Sequence, residues 1–303
     1  MRGIHPRLAA SLPPAFALAL GLVLAGCGYL DVAVDHNIVY AIRGKEKLAL
    51  DVIRPRSLST APPTGPAVIL VHGGAWKQDD KGNQAPLAQE LAHRQGLVCF
   101  SINYRLATND ANRHPAAFDD VQRAVRWVRA NGARYGADTT RLALLGGSAG
   151  AHLALLAAFA TETRDPGSDE LSALSSGVKA VVDMWGPSDL AAPWDGNPAG
   201  DPEEGKAFIE NYLGTRFAAD PGLFSNASPV HRATAASPPV LIFHGSEDTT
   251  VPPDQSRRLK ERLVALGVPV FHFLLPGEKH GIAQKANWEK AYTEIDAFFK
   301  RYL

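Results

Sequence analysis

The densest chemical signal in the chain is Leu144-Leu-Gly146-Gly-Ser148-Ala-Gly150-Ala-His152, which sets a serine inside a Gly-x-Ser-x-Gly pentad. An apolar run precedes it and an Ala/Leu-rich run follows it, so the serine falls where a strand turns into a helix. Such a turn strains the serine backbone. Strand and helix collide unless the residues two before and two after lack bulk, and here those are Gly146 and Gly150. The turn projects Oγ at the carboxyl edge of a sheet and at a helix N-terminus, where developing negative charge is favoured. A phosphate-binding turn fits poorly, because the chain has neither a Gly-x-Gly-x-x-Gly here nor a Walker A sequence anywhere.

A serine hydroxyl is a weak nucleophile and needs a base that a carboxylate orients. Downstream, Val240-Leu-Ile-Phe-His244-Gly-Ser-Glu247-Asp248 is a strand pattern followed by acids. Phe273-Leu-Leu-Pro-Gly-Glu-Lys-His280-Gly281 is a strand pattern followed by a histidine. The candidate set is therefore Ser148, Asp248 and His280, with Glu247 and Asp183 as alternative acids. Of the other histidines, His72 and His152 lie near the serine loop in sequence but follow no late strand. His244 and His272 fall inside strand patterns, and His93, His114 and His231 have no motif around them.

Attack on a carbonyl also needs donors for the oxyanion. The N–H of Ala149, directly after the serine, is one candidate. The others lie in His72-Gly-Gly74-Ala75-Trp76, after the strand pattern Ala67–His72, where consecutive glycines let the N–H groups of Gly74 and Ala75 turn toward a substrate.

These residues need elements to hold them. Asn37–Ile42 and Lys47–Ile53 read as an antiparallel hairpin, and Arg54 to Pro66, with four prolines, as a linking loop. Strand patterns follow at Ala67–His72, Leu97–Asn103, Leu142–Leu145, Val178–Met184, Val240–His244 and Val268–Leu274. Helical patterns alternate with them at Pro86–Gln95, Phe118–Asn131, Ala149–Thr161, Asp254–Leu266 and Asn287–Leu303. Continuously apolar strands alternating with helices imply an α/β fold with a mostly parallel sheet covered on both faces. Trp185 to Pro238 has no strand pattern and several aromatics. It reads as a partly helical excursion over the strand ends, a small cap at about 186–238.

The chain resembles α/β-hydrolases of the esterase/lipase group, nearest the feruloyl-esterase-like and kynurenine-formamidase-like carboxylesterases, with kinship to the hormone-sensitive-lipase group. The resemblance runs from about residue 38 to the C-terminus. It rests on His72-Gly-Gly-Ala-Trp76, Asn103-Tyr-Arg-Leu106, Pro115-Ala-Ala-Phe-Asp-Asp120, Gly146-Gly-Ser-Ala-Gly150, Trp185-Gly-Pro-Ser-Asp-Leu190, His244-Gly-Ser-Glu-Asp248 and Lys279-His280-Gly281. It implies that Asp248 rather than Glu247 is the acid, and that the substrate is a small or medium carboxylic ester. Hormone-sensitive-lipase relatives usually carry a third Gly where this chain has Ala75, so their acyl pocket does not transfer. An amidase or formamidase would use the same groups on a C–N bond, and a non-catalytic envelope protein could keep the fold without the chemistry. No cofactor is required, and no His-Glu-x-x-His helix or Cys/His cluster is present to hold a metal.

The N-terminus is set apart from the fold. Arg2 and Arg7 precede an uncharged run from Leu8 to Leu30, and Leu24-Ala-Gly-Cys27 resembles the bacterial lipobox. The expectation is a signal peptide over residues 1–26, lipidation of Cys27, a tether over 27–36 and the catalytic domain over 37–303. A spanning anchor is the weaker reading, because Pro13-Pro14 leaves about 16 apolar residues against the ~20 a span needs. A plain secretory signal is a further alternative. Gly28 is not the acidic residue that typically retains such lipoproteins at the inner membrane. The resemblance therefore favours the outer membrane, facing the periplasm.

Composition bounds the rest. The 303 residues, 46% of them hydrophobic, suit one large globular domain. Lys+Arg and Asp+Glu balance at 31 each, which gives no electrostatic case for nucleic acid. Removing Arg2 and Arg7 with the signal leaves a slightly acidic mature chain. Two cysteines make no disulfide scaffold, and Cys99 reads as a small core residue.

Overall fold

The computed structural model describes residues 32–56, 64–108, 111–160, 170–192 and 202–303. The lipobox-like segment and Cys27 lie outside them. Among the described residues no helix is long and apolar enough to cross a membrane.

Strands β1 (Val32–Arg43) and β2 (Glu46–Pro55) form the expected hairpin around Gly44, whose φ of +61° suits a residue without Cβ. β1 begins earlier than the apolar pattern suggested. Residues 32–35, read as part of the tether, pair with β2 from Val32 opposite Pro55, so the strand begins inside the stretch read as tether. The cause is an irregularity between Asp35 and Ile38, with Asn37 at φ 57°, which breaks the alternation that marks a strand.

β2 runs antiparallel to β4 (Val98–Ile102), and the rest of the sheet is parallel. The remaining strands are β3 (Gly65–Val71), β5 (Ala137–Gly147), β6 (Ala180–Met184), β7 (Val240–Gly245) and β8 (Val270–Leu275). The spatial order is β1-β2-β4-β3-β5-β6-β7-β8. Val68, Ile69, Leu70 and Val71 are all fully buried, as a central strand covered on both faces requires.

One face carries α2 (Ala116–Asn131), α3 (Ala149–Phe159) and α7 (Asp254–Ala265), whose Val121, Val125, Leu153, Leu259 and Leu263 join one core. The other carries α1 (Ala85–Gln95) and α8 (Lys285–Tyr302), through Leu87, Leu91, Ile295 and Phe299. Each such side chain contributes about 1.5–3 kcal/mol by leaving water. α3 is apolar nearly all round, which is why it lies in the middle of the molecule rather than at its rim.

The excursion after β6 contains α4 (Pro202–Leu213), α5 (Pro221–Asn226) and α6 (Pro229–Arg232), and no strand among the described residues. Pro221 and Pro229 start their helices because a first-turn N–H needs no partner, and the Asp220 carboxylate accepts from Leu223 N at 2.9 Å to cap α5. The base of the excursion is anchored. The Gln255 amide oxygen accepts from the N–H groups of Ser188 and Asp189, and Leu190 N donates to Ser228 Oγ.

Candidate active site

Ser148 sits between β5 and α3 with φ 55° and ψ −125°, a conformation that costs on the order of 1–3 kcal/mol in a residue with a Cβ. The surroundings enforce it. Ser148 N donates to Met184 O at 2.9 Å, and strand and helix approach so closely that Gly146 and Gly150 are obligatory. A Cβ on Gly146 would lie 2.4 Å from the Gly150 carbonyl carbon, and one on Gly150 only 2.1 Å from Val71 O.

The loops after β7 and β8 bring the other two predicted residues to this serine. His280 Nε2 lies 2.9 Å from Ser148 Oγ, and His280 Nδ1 lies 2.8 Å from Asp248 Oδ2. A carboxylate only accepts, so Nδ1 carries the proton and Nε2 accepts from the serine hydroxyl. Asp248 Oδ1 in turn accepts from Thr250 N and Val251 N, each at 2.9 Å. Burial alone would raise the Asp248 carboxyl, but hydrogen bonds from His244 and His280 outweigh it and hold it well below the usual carboxylate range. The two alternative acids stand elsewhere. Glu247 is exposed, and Asp183 is buried in β6, where its Oδ1 accepts from Gly186 N. Burial raises the Asp183 carboxyl to about 7.

The loop after β3 packs against the serine: a Cβ on Gly73 would lie 3.4 Å from that of Ser148. Gly74, Ala75 and Trp76 have φ values of 96°, 48° and 60°, so the chain turns through three left-handed residues in succession. The Tyr104 hydroxyl reaches both His72 O and Gly73 O at 3.0 Å, and Gly74 O accepts from Lys77 N and Gln78 N. Across a trans peptide the N–H points opposite the carbonyl. Pinning the Gly73 and Gly74 carbonyls therefore aims the N–H groups of Gly74 and Ala75 away from Tyr104 and the following turn. Ala149, as the first residue of α3, has an N–H with no partner within its helix.

This arrangement has known relatives. The BD-FAE family matches residues 50–263. The chain belongs to the BD-FAE family. Among curated proteins it is 34% identical over 234 residues to Esterase LipC of Mycobacterium tuberculosis, covering 77% of this chain and 56% of LipC. It is 35% identical over 253 residues to Esterase LipQ of the same organism, covering 82% and 57%. The chain thus spans little more than half the length of these two relatives. Among solved structures, a truncated carbohydrate esterase from gut microbiota superposes with TM-score 0.72 at 26% identity, covering 89% of this chain and 96% of that one. The propionate-bound Est2 esterase of Thermogutta terrifontis gives 0.72 at 24%, covering 90% and 95%. With the sheet order above, these matches make the BD-FAE chain an α/β-hydrolase fold.

Several residues around the BD-FAE site were not singled out by spacing. Tyr104 stacks on His72 with centroids 4.2 Å apart, held in place because Arg105 pairs with the buried Asp120 through Nε and Nη2, each at 2.8 Å. Trp185, at φ 50°, stands edge-on to His280 with centroids 6.3 Å apart. His152, one helical turn past the serine, is fully buried. Its Nε2 donates to Ala227 O at 2.8 Å and its Nδ1 accepts from Trp76 Nε1 at 3.2 Å. Burial lowers its pKa to about 3, so it works as a neutral bridge. His244, inside an apolar strand pattern, contacts Asp248. The only local sign of the last two is their spacing, four residues from Ser148 and from Asp248. Among the described residues no cluster could hold a metal ion.

A cavity of about 400 Å³ opens between Lys77 and Gln78 of the glycine loop and Phe208 and Asn211 of α4, with Thr108 also lining it. The Lys77 ammonium lies 4.4 Å from the Phe208 ring centroid.

Proposed function

We propose that this chain is a serine carboxylesterase for small to medium carboxylic esters, with Ser148 as nucleophile, His280 as base and Asp248 as its orienting acid. The observation that carries the reading is the unbroken hydrogen-bond line from Ser148 Oγ through His280 to Asp248, on a serine held at positive φ. His280 Nε2 takes the serine proton as Oγ bonds to the ester carbonyl carbon. The imidazolium, stabilised by Asp248, returns that proton to the leaving alkoxide as the C–O bond breaks. Water then repeats the sequence on the acyl-serine. The N–H groups of Ala149, Gly74 and Ala75 receive the oxyanion.

The names of the relatives support ester chemistry. The sequence of the excursion, with Asp195, Asp201, Glu203, Glu204 and Lys206, does not read as the large apolar lid a long-chain lipase would carry, which favours short acyl or alcohol groups. The test is a p-nitrophenyl ester series from acetate to palmitate, run beside an aryl formamide and a feruloyl ester. We expect kcat/KM to peak at short to medium acyl chains and to collapse at palmitate. A higher kcat/KM on the formamide would reassign the enzyme as an amidase. We also propose, from the lipobox-like Leu24-Ala-Gly-Cys27 alone, that the enzyme is anchored to the cell envelope through a lipidated Cys27, and the mass of the mature N-terminus tests that part separately.

Tyr104→Phe probes the oxyanion loop. Losing the hydroxyl leaves the His72 carbonyl short of a donor and leaves the Gly73 carbonyl held by the His72 Nδ1–H alone, at 2.8 Å, which loosens the peptide that aims Gly74 N–H. The expected result is a fall in kcat of about tenfold with KM little changed, and a stability loss of about 1–2 kcal/mol in a urea titration.

A further inference from the structure

We propose that His244 is a positioning residue for the reaction: its Nε2–H holds the Asp248 carboxylate oxygen that orients His280. The inference rests on the esterase reading above and extends it to a second histidine.

His244 is fully buried on β7. Its Nε2 lies 2.8 Å from Val251 O and 3.2 Å from Asp248 Oδ2. A carbonyl oxygen only accepts, so Nε2 carries a proton shared between the two. Nδ1 meets the hydroxyl of Ser256 on α7, which fixes the ring from its other side. Asp248 Oδ2 thus receives the Nδ1–H of His280 and the Nε2–H of His244, while Oδ1 receives Thr250 N–H and Val251 N–H. A carboxylate with donors on both oxygens cannot rotate about its Cβ–Cγ bond without losing several at once. The same Val251 supplies an N–H to Oδ1 and a carbonyl to His244, so the ring also closes the turn that presents the acid.

The second donor has a chemical effect as well. It spreads the charge on Oδ2, so Asp248 pulls less strongly on the His280 proton. Without it Asp248 is a stronger acceptor, the imidazolium is favoured, and the acid limb of the rate profile moves to higher pH. Other groups also face His244. Asp183 approaches from β6 and His272 from β8, and burial lowers the His272 pKa to about 4, so that it is neutral across the working range.

The experiment compares His244→Gln with His244→Asn. A Gln amide can place N–H where Nε2 stands. An Asn amide reaches only the Nδ1 position, toward Ser256. His244→Gln should keep kcat and the acid limb near wild type. His244→Asn should lose about tenfold in kcat at unchanged KM and move the limb up by about half a pH unit. Equal behaviour of the two folded variants overturns the proposal, as does a wild-type profile in His244→Asn. If only His244→Gln folds, an unmoved limb supports the proposal and a displaced limb overturns it. Asp183→Asn is the control, and a shift as large as that of His244→Asn would assign the effect to Asp183 instead. The His280 titration midpoint by NMR is read on the protein without substrate. It therefore separates failure of this proposal from failure of the esterase reading, which an unimpaired Ser148→Ala enzyme would reveal.

Discussion

Ser148→Ala is expected to lower kcat on p-nitrophenyl esters by on the order of 10⁴ to 10⁶-fold while leaving the protein folded. On the proposed mechanism the nucleophile is lost outright. What remains is water attack assisted by His280 and by whatever N–H groups receive the oxyanion. KM should change little, because no binding contact goes with the hydroxyl. Folding should be spared, because Ser148 is only partly buried and its backbone bonds, N to Met184 O and O to His152 N, do not involve Oγ. The Ala side chain still has to adopt φ 55°, so the strain stays. Steady-state kinetics with a thermal melt on the same preparation check both halves. A variant with activity within tenfold of wild type would remove the serine from the mechanism.

The largest stability effect is expected at Gly150→Ala. Its new Cβ would lie 2.1 Å from Val71 O and 2.4 Å from His72 O, and both are backbone atoms in the core. No rotamer relieves such a clash, so the end of β3 and the start of α3 must part. We expect a loss of about 3 kcal/mol or more, a fall in Tm of roughly 6–12 °C, and activity falling with it as the elbow opens. Gly44→Ala is the internal comparison. Gly44 has a positive φ, which Gly150 inside α3 does not, and nothing lies within 4 Å of its Cβ, so only the backbone strain of about 1 kcal/mol should appear. Equal losses at the two sites would mean that the core relieves the collision at Gly150 at little cost.

Much of this site was legible because its residues sit at ends of elements. An apolar β-branched run followed by a small polar loop marks a strand end on a parallel sheet. Ser148, Asp248, His280 and the Gly73-Gly74 turn all follow such runs, so their convergence on one sheet edge was foreseeable. What stayed illegible depends on partners distant in sequence. His152 reads as one polar residue in an apolar helix until Trp76 and Ala227 arrive on its two nitrogens. His244 reads as the end of a strand until the chain doubles back through Asp248 to Val251. β5 is longer than its apolar pattern for a simpler reason: Asp138 to Arg141 are polar and partly exposed, so the strand starts before its apolar pattern does. In the excursion, Pro221 after Asp220 and Pro229 after Ser228 start helices of only six and four residues, too short to show an apolar period.

His152 has a consequence for anyone who would re-engineer the excursion. One neutral ring joins the indole of the glycine loop to a carbonyl at the base of the segment between α5 and α6. A transplanted segment, however well it suited a new substrate, would have to return a carbonyl to the place of Ala227. Otherwise the fully buried His152 loses its acceptor, and the ring is free to turn over and offer Trp76 an N–H where it had offered a lone pair. The excursion is therefore exchangeable as a module only from above that carbonyl, and a graft junction belongs on the α5 side of residue 227, never across it.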